Sequence, residues 1–170
     1  MILLDTNVLV FAMYRESALY EASATLVDRA LKERRQFCIA PQNLIEFMSV
    51  TTRSRFVTTP LDPIRASEIA EKLYKSRNLA KIYAARGTVR RALIEGRRMG
   101  FSGPVWYDLF LAQTMKDAGV RIIITDNTRD FLRFPFVTTQ TIQGAESIPA
   151  PAQSHGSGDS GHDRRYTAIL

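Results

Sequence analysis

The chain has 170 residues, 45% of them hydrophobic, with a single cysteine and a formal net charge of +6, the profile of one globular domain with room for a sizeable core. A lone cysteine excludes an internal disulfide framework, and no apolar run approaches the ~18 residues of a membrane span. The opening residues meet an acid at Asp5 without the basic start of a secretory leader, so a cytoplasmic protein in a reducing compartment is expected.

Ile2 to Leu4 reads as a short buried strand ending in Asp5, with Thr6 and Asn7 as caps for a helix or turn over Val8 to Tyr14. Leu19, Ala22, Leu26, Ala30 and Leu31 recur near helical spacing and predict a helix over Ser17 to Arg35, its last turn loaded with Lys32, Arg34 and Arg35. Phe37 to Ala40 is a second strand. Pro41 then opens a helix over 41–55 with Leu44, Ile45, Phe47, Met48 and Val50 inward and Glu46 among them. Asp62-Pro63 starts a helix to Lys75, and Leu79 to Ala84 is a short third strand or a continuation of helix. Thr88 to Met99 is helical and closed by Gly100. A helix from Val105 to Ala118, closed by Gly119, carries Asp108 in its first turn.

Arg121 to Thr125 contains three consecutive isoleucines and reads as a strand buried on both faces, again ended by an acid, Asp126. Asn127 to Phe131 is a turn or short helix, and Phe136 to Thr138 a last strand. Strands alternating with helices predict a parallel α/β sheet. Residues 1–148 are expected to form the domain, and 149–170, rich in Pro, Ala, Ser and Gly, a disordered tail. Both histidines, His155 and His162, fall in that stretch. A Ser-His-Asp triad, a Cys-His pair and a His-based zinc site are thereby excluded from the domain.

Asp5 and Asp126 end strands, while Glu46 and Asp108 sit in the first turns of helices. All four can face the carboxyl-terminal end of a parallel sheet, where ligands of open α/β folds bind. Singly, each has a plain structural role, as cap, dipole partner or turn residue. Together they carry a cost: two carboxylates about 4 Å apart repel by about 4 kcal/mol at an effective dielectric of about 20. Either protons or a cation must offset this. With all-oxygen ligands and no histidine, Mg²⁺ or Mn²⁺ is the natural ion, and it can activate water and stabilise a phosphodiester in reaction. Thr6, Asn7, Thr125 and Asn127 can position ligands or waters around it.

The basic residues gather between Lys75 and Arg98, with Arg86, Arg90 and Arg97 near one helical face. These are candidates for holding an RNA backbone, against the plainer alternative of a solvated helix face. Tyr83, Trp106 and Tyr107 can stack bases, though aromatics near helix starts more often join the core.

MILLDTNVLV with Asp5, NLIEF with Glu46, WYDLFLAQTM with Asp108, and ITDNTRDF with Asp126 and Asp130 together resemble the PIN-domain family, in particular VapC-like toxins of type II toxin–antitoxin modules. The resemblance spans about residues 1–145. It implies a three-layer α/β/α fold with a central five-stranded parallel sheet, an acidic Mg²⁺ or Mn²⁺ pocket, endoribonuclease activity, a cognate antitoxin partner and a homodimer. By position, Asp5, Glu46 and Asp108 look like three core acids. Either Asp126 or Asp130 is the fourth, with Asp126 favoured as nearer the metal and Asp130 supporting the loop. Thr6 or Asn7 resembles the polar residue behind the first acid. The metal is expected on Asp5, Asp108 and Asp126. The rival expectation is a PIN-like module that binds RNA or protein without cutting. A phosphotransferase using the strand-one acid is disfavoured, because Asn7 stands where that chemistry needs a second Asp.

Overall fold

The computed structural model describes residues 1–148; the expected tail over 149–170 lies outside the described residues. Five parallel strands form the centre: β1 (Ile2–Leu4), β2 (Phe37–Ile39), β3 (Ala80–Lys81), β4 (Ile122–Ile124) and β5 (Thr138–Gln140). Their order across the sheet is β3-β2-β1-β4-β5. The register pairs Ile2 with Phe37 on one side and with Ile122 on the other. A central strand flanked on both sides and covered on both faces must be apolar throughout, and Ile2, Leu3 and Leu4 are all buried.

Successive side chains of a strand point to opposite faces, and here they feed two cores. Leu4, Ile39 and Ile124 meet α1 (Thr6–Phe11), α2 (Tyr20–Lys32), α3 (Pro41–Thr51) and α4 (Pro63–Lys75) through Val8, Leu26, Phe47 and Leu73. Leu3, Cys38 and Ile123 meet α5 (Thr88–Met99), α6 (Val105–Asp117) and α7 (Thr128–Phe131) through Ala92, Leu109, Met115 and Phe131. The expected three-layer α/β/α fold with a five-stranded parallel sheet is what forms. Cys38 is a buried thiol, as its apolar run predicts, and burial pushes its pKa up to about 12.

Three local expectations are corrected. The cap of α1 is Asp5, whose Oδ1 accepts from the Thr6 N–H at 2.7 Å, rather than Thr6 or Asn7. Ile45 does not face inward: it is 71% exposed, because Asn43, Leu44, Phe47 and Thr51 take the buried positions of α3. The last strand begins two residues later than Phe136. The Thr138 N–H reaches Arg121 O at 2.7 Å, while Phe134 and Phe136 pack in an aromatic cluster with Phe101 and Phe131. A 3-10 segment at Gln143–Ser147, not expected from sequence, seals the α2 side with Ala145.

Among the glycines, Gly96 is required by close approach. A β-carbon there would overlap the six-membered ring of Trp106 and stand 3.0 Å from Leu109 Cδ2. This lets α5 lie against α6 and spends Trp106 on packing, its indole N–H donating to Phe101 O at 3.1 Å. Among the described residues, no helix is long and apolar enough to cross a membrane.

Candidate active site

At the carboxyl-terminal end of β1 the chain turns directly into α1, and Asp5 sits at the junction. Its backbone N–H is held by Ile124 O at 3.0 Å, a last rung between β1 and β4. The side chain is 9% exposed and makes three hydrogen bonds. Oδ1 accepts from Thr6 N–H at 2.7 Å, while Oδ2 accepts from Asn7 Nδ2 at 3.0 Å and from the Thr125 hydroxyl at 2.6 Å. Even so, loss of water outweighs these bonds, and the pKa rises to about 6.

Thr125, the residue after β4, organises this corner. Its fully buried hydroxyl donates to Asp5 and accepts from Asn7 Nδ2 at 2.9 Å and from the Asn127 N–H at 3.0 Å. Asn7 in turn accepts from the Asp126 N–H at 3.3 Å. The two strand ends are thus laced together by short polar side chains.

Glu46 approaches from α3. The Thr6 hydroxyl donates to Glu46 Oε2 at 2.7 Å. That hydroxyl can give its single proton to only one acceptor, and Asn43 Nδ2, donating to Thr6 Oγ1 at 3.2 Å, keeps the oxygen in its accepting role toward α3. Asn43 is fully buried, with its Oδ1 accepting from the Ala40 N–H at 2.9 Å. The sequence reading passed over Asn43. The available signal was its place three residues before Glu46, which puts the two on one helical face.

Asp108 enters from the first turn of α6, and the charges converge on it. Its pKa is raised to about 6, first by burial and then by the charges of Asp5, Asp130 and Glu46, with Arg133 opposing. Asp130, in α7, is held by the Asn127 side-chain amide and by Arg133 at 2.8 Å. Asp126 joins this corner through its backbone N–H to Asn7, but its residue is exposed and it is not among the main charges acting on Asp108. The structure therefore gathers Asp5, Glu46, Asp108 and Asp130, supported by Thr6, Asn7, Asn43, Thr125 and Asn127. Arg133 joins these acids through its ion pair with Asp130.

The donor set is oxygen only, which suits a hard divalent cation. Among the described residues, no group of three or more His, Cys, Asp or Glu side chains is arranged so that it could hold a metal ion. An ion that keeps several of its waters and touches few carboxylates, as Mg²⁺ does, fits such an open arrangement. Of the candidate RNA contacts, Arg86 precedes α5, and Arg90 and Arg97 lie on it; all three are exposed. Tyr107 is 62% exposed, and its carbonyl accepts from Gln42 Nε2 at 3.0 Å, joining the starts of α3 and α6 beside the acids.

Residues 2–137 match the family model of the PIN domain. No curated protein matches the chain. Among solved structures, the fold is similar to Mycobacterium tuberculosis VapC20, a sarcin-ricin loop cleaving toxin, at 14% identity and TM-score 0.56, over 72% of this chain and 87% of that one. It is similar to VapBC2 from Rickettsia felis bound to a DNA fragment from its promoter, at 20% identity and TM-score 0.56, over 83% and 98%. It is also similar to VapBC-1 from nontypeable Haemophilus influenzae, at 15% identity and TM-score 0.56, over 84% and 99%. At these identities the likeness shows a shared fold.

Proposed function

The chain belongs to the PIN domain family, and from that premise we propose that it is a divalent-metal-dependent endoribonuclease, the toxin of a toxin–antitoxin pair. The observation that carries this reading is the pair of carboxyls at Asp5 and Asp108, both pushed up to about 6 in one acidic corner. A shift of one unit corresponds to about 1.4 kcal/mol. A chain that only bound RNA would have no use for groups that both destabilise it and repel phosphate.

Asp5, Asp108 and Asp130 would hold Mg²⁺ or Mn²⁺, with Glu46 completing the acidic corner. Asp130 is taken as the fourth acid in preference to Asp126, a choice supported by its charge acting on Asp108 and by its bonds to Asn127 and Arg133. When bound, the ion supplies charge neutralisation and water activation. The chain's own residues supply orientation. Thr125 and Asn7 aim Asp5, the Asn43–Thr6 pair aims Glu46, and Arg133 offers a cation beside the acids that can meet a phosphodiester oxygen. Arg86, Arg90 and Arg97 are the further RNA contacts in this reading.

An antitoxin partner is supported by exposed apolar residues that neighbour three of the acids along the chain. Ile45, Tyr107 and Leu132 are 71%, 62% and 72% exposed and lie next to or near Glu46, Asp108 and Asp130 in the chain. Exposed apolar residues around a polar site suit a protein partner. A homodimer and a cytoplasmic setting, consistent with the free buried thiol, complete the reading.

The test is cleavage of a mixed RNA pool by the purified protein with Mg²⁺ or Mn²⁺, beside EDTA and Asp5→Asn. Cutting that needs the metal and is lost in Asp5→Asn is expected. No cutting by the wild type, with salt-sensitive RNA binding intact, would replace the nuclease with a binding module.

A further inference from the structure

The acids occupy the carboxyl-terminal end of the strands, and the opposite end of the same sheet is basic. Where β1, β2 and β3 begin, an open cavity of about 780 Å³ is lined by Arg34, Arg35, Arg77 and Lys81. Where β4 and β5 begin, a second cavity of about 410 Å³ is lined by Lys116 and Arg121. Neither lining contains an Asp or Glu. In the strand order β3-β2-β1-β4-β5 the two cavities cover this end of the sheet from one side to the other, a span of about 19 Å at about 4.8 Å per strand spacing.

These charges are built into the fold. Lys81 Nζ donates to the carbonyls of Ser76 and Leu79, the latter at 2.8 Å. Lys116 Nζ lies 5.0 Å from the centre of the Phe136 ring. Arg35 adopts a left-handed backbone, φ 54°, uncommon for a residue with a side chain, and its N–H donates to Asn78 O at 2.8 Å. That bond ties the approach to β2 to the approach to β3. Among the described residues, Arg34, Arg35, Arg77 and Arg121 make no ion pair, a state they share with Arg15, Arg53, Arg55, Arg86, Arg90, Arg97 and Arg129; what sets the four apart is that they line the two cavities. Three guanidinium forks in one cavity and a fourth in the other, none with a carboxylate partner among the described residues, suit phosphate oxygens.

We propose that this amino-terminal end of the sheet is a second nucleic-acid site, binding the phosphate backbone of single-stranded RNA that extends beyond the reacting residues. The inference rests on the nuclease reading above and deepens it. An acidic corner repels the strand it must cut, and the opposite basic end supplies the affinity. A strand can engage both cavities at once, whereas a small phosphate compound can engage only one.

The experiment measures binding in EDTA, so that it does not depend on cutting. A labelled single-stranded RNA of mixed sequence is titrated at several salt concentrations with wild type, with Arg34→Gln/Arg77→Gln/Arg121→Gln, and with the matching triple Arg→Lys protein. The slope of log K against log salt falls by about 0.7 for each phosphate that the protein no longer neutralises. The Gln triple should therefore flatten the slope by about 2 and weaken binding by about tenfold or more at low salt, while the Lys triple keeps the slope. An unchanged slope in the Gln triple overturns the proposal. Loss of binding in the Lys triple as well would show a structural effect and also overturn it. Inorganic tripolyphosphate serves as the second probe. Wild type binding it as tightly as the RNA would reassign the cavities to a small phosphate compound and overturn the RNA site. If the wild type fails to cut RNA yet shows this binding pattern, the nuclease reading falls and the basic site stands.

Discussion

Replacing Asp5 with Asn should make the protein more stable at neutral pH while abolishing its activity. The Asp5 carboxyl has an ordinary pKa of 3.8 and about 6 in the fold, raised first by burial. Because the folded value lies above the unfolded one, the folded state holds the proton longer. Stability is then undiminished below pH 3.8 and is lost progressively as pH rises through about 6. A shift of about two units is worth roughly 3 kcal/mol. Asn approximates the protonated acid in shape but adds amide hydrogens among donors that now point at a carboxylate, from Thr6 N–H, Asn7 Nδ2 and the Thr125 hydroxyl. Losing one of these bonds offsets about 1 kcal/mol. The net gain at pH 7 is about 2 kcal/mol, or roughly 4–8 °C in melting temperature for a domain of this size.

The assay is thermal melting of wild type and Asp5→Asn in EDTA at neutral pH and near pH 4, where the advantage should shrink toward zero or reverse. Titrating groups that do not interact with Asp5 cancel in the difference; Asp108, whose pKa the Asp5 charge raises, adds to the effect in the same direction. Adding Mn²⁺ at neutral pH should raise the wild-type midpoint and leave that of Asp5→Asn unmoved, since only the native state with its carboxylate binds the ion. Asp5→Asn melting lower than wild type by the same amount at both pH values would refute the reasoning. It would mean that the hydrogen bonds at Asp5, and not its burial, dominate.

Four further outcomes follow from the same geometry. Thr125→Val removes one donor to Asp5 and one acceptor shared by Asn7 and Asn127; it should cost about 1–3 kcal/mol in urea denaturation and move the pH profile of cleavage upward, because the bond it removes lowers the Asp5 pKa. Asp130→Asn should lower cleavage far more than Asp126→Asn when the two are compared under saturating metal, since only Asp130 ranks among the main charges on Asp108; equal losses would restore Asp126 to the metal. Apparent Mn²⁺ affinity, measured by titrating metal into the cleavage assay, should fall as pH drops through about 6, where Asp5 and Asp108 take up protons that compete with the ion. Gly96→Ala gains about 1 kcal/mol of helix propensity, yet its β-carbon collides with Trp106, so a net loss of about 1–2 kcal/mol is expected in the same denaturation assay.

Much of this protein is local in origin, and what is local could be read from the chain. Ile2-Leu3-Leu4 and Ile122-Ile123-Ile124 announce strands buried on both faces, because no polar residue interrupts them. Asp62-Pro63 and Gly100 mark a helix start and a helix end through backbone preferences that need no distant partner. Asp5, Glu46 and Asp108 follow from such elements, since an acid at a strand end or in the first turn of the next helix is carried to one end of a parallel sheet.

Tertiary structure decided what depends on distance across the fold. Asp126 and Asp130 sit four residues apart, and nothing in ITDNTRDF says which carboxylate acts on Asp108; in the fold the charge of Asp130, ion-paired with Arg133, is among those raising the Asp108 pKa. Ile45, expected inward, is exposed while Asn43 is buried, because a buried Asn is tolerable only where partners meet it, and those partners are Ala40 N–H beside its own helix and Thr6 Oγ1 from across the fold. The basic end of the sheet is the extreme case. Arg34, Arg77 and Arg121 are dispersed along the sequence and join a single surface only because parallel strands bring all their beginnings to one side.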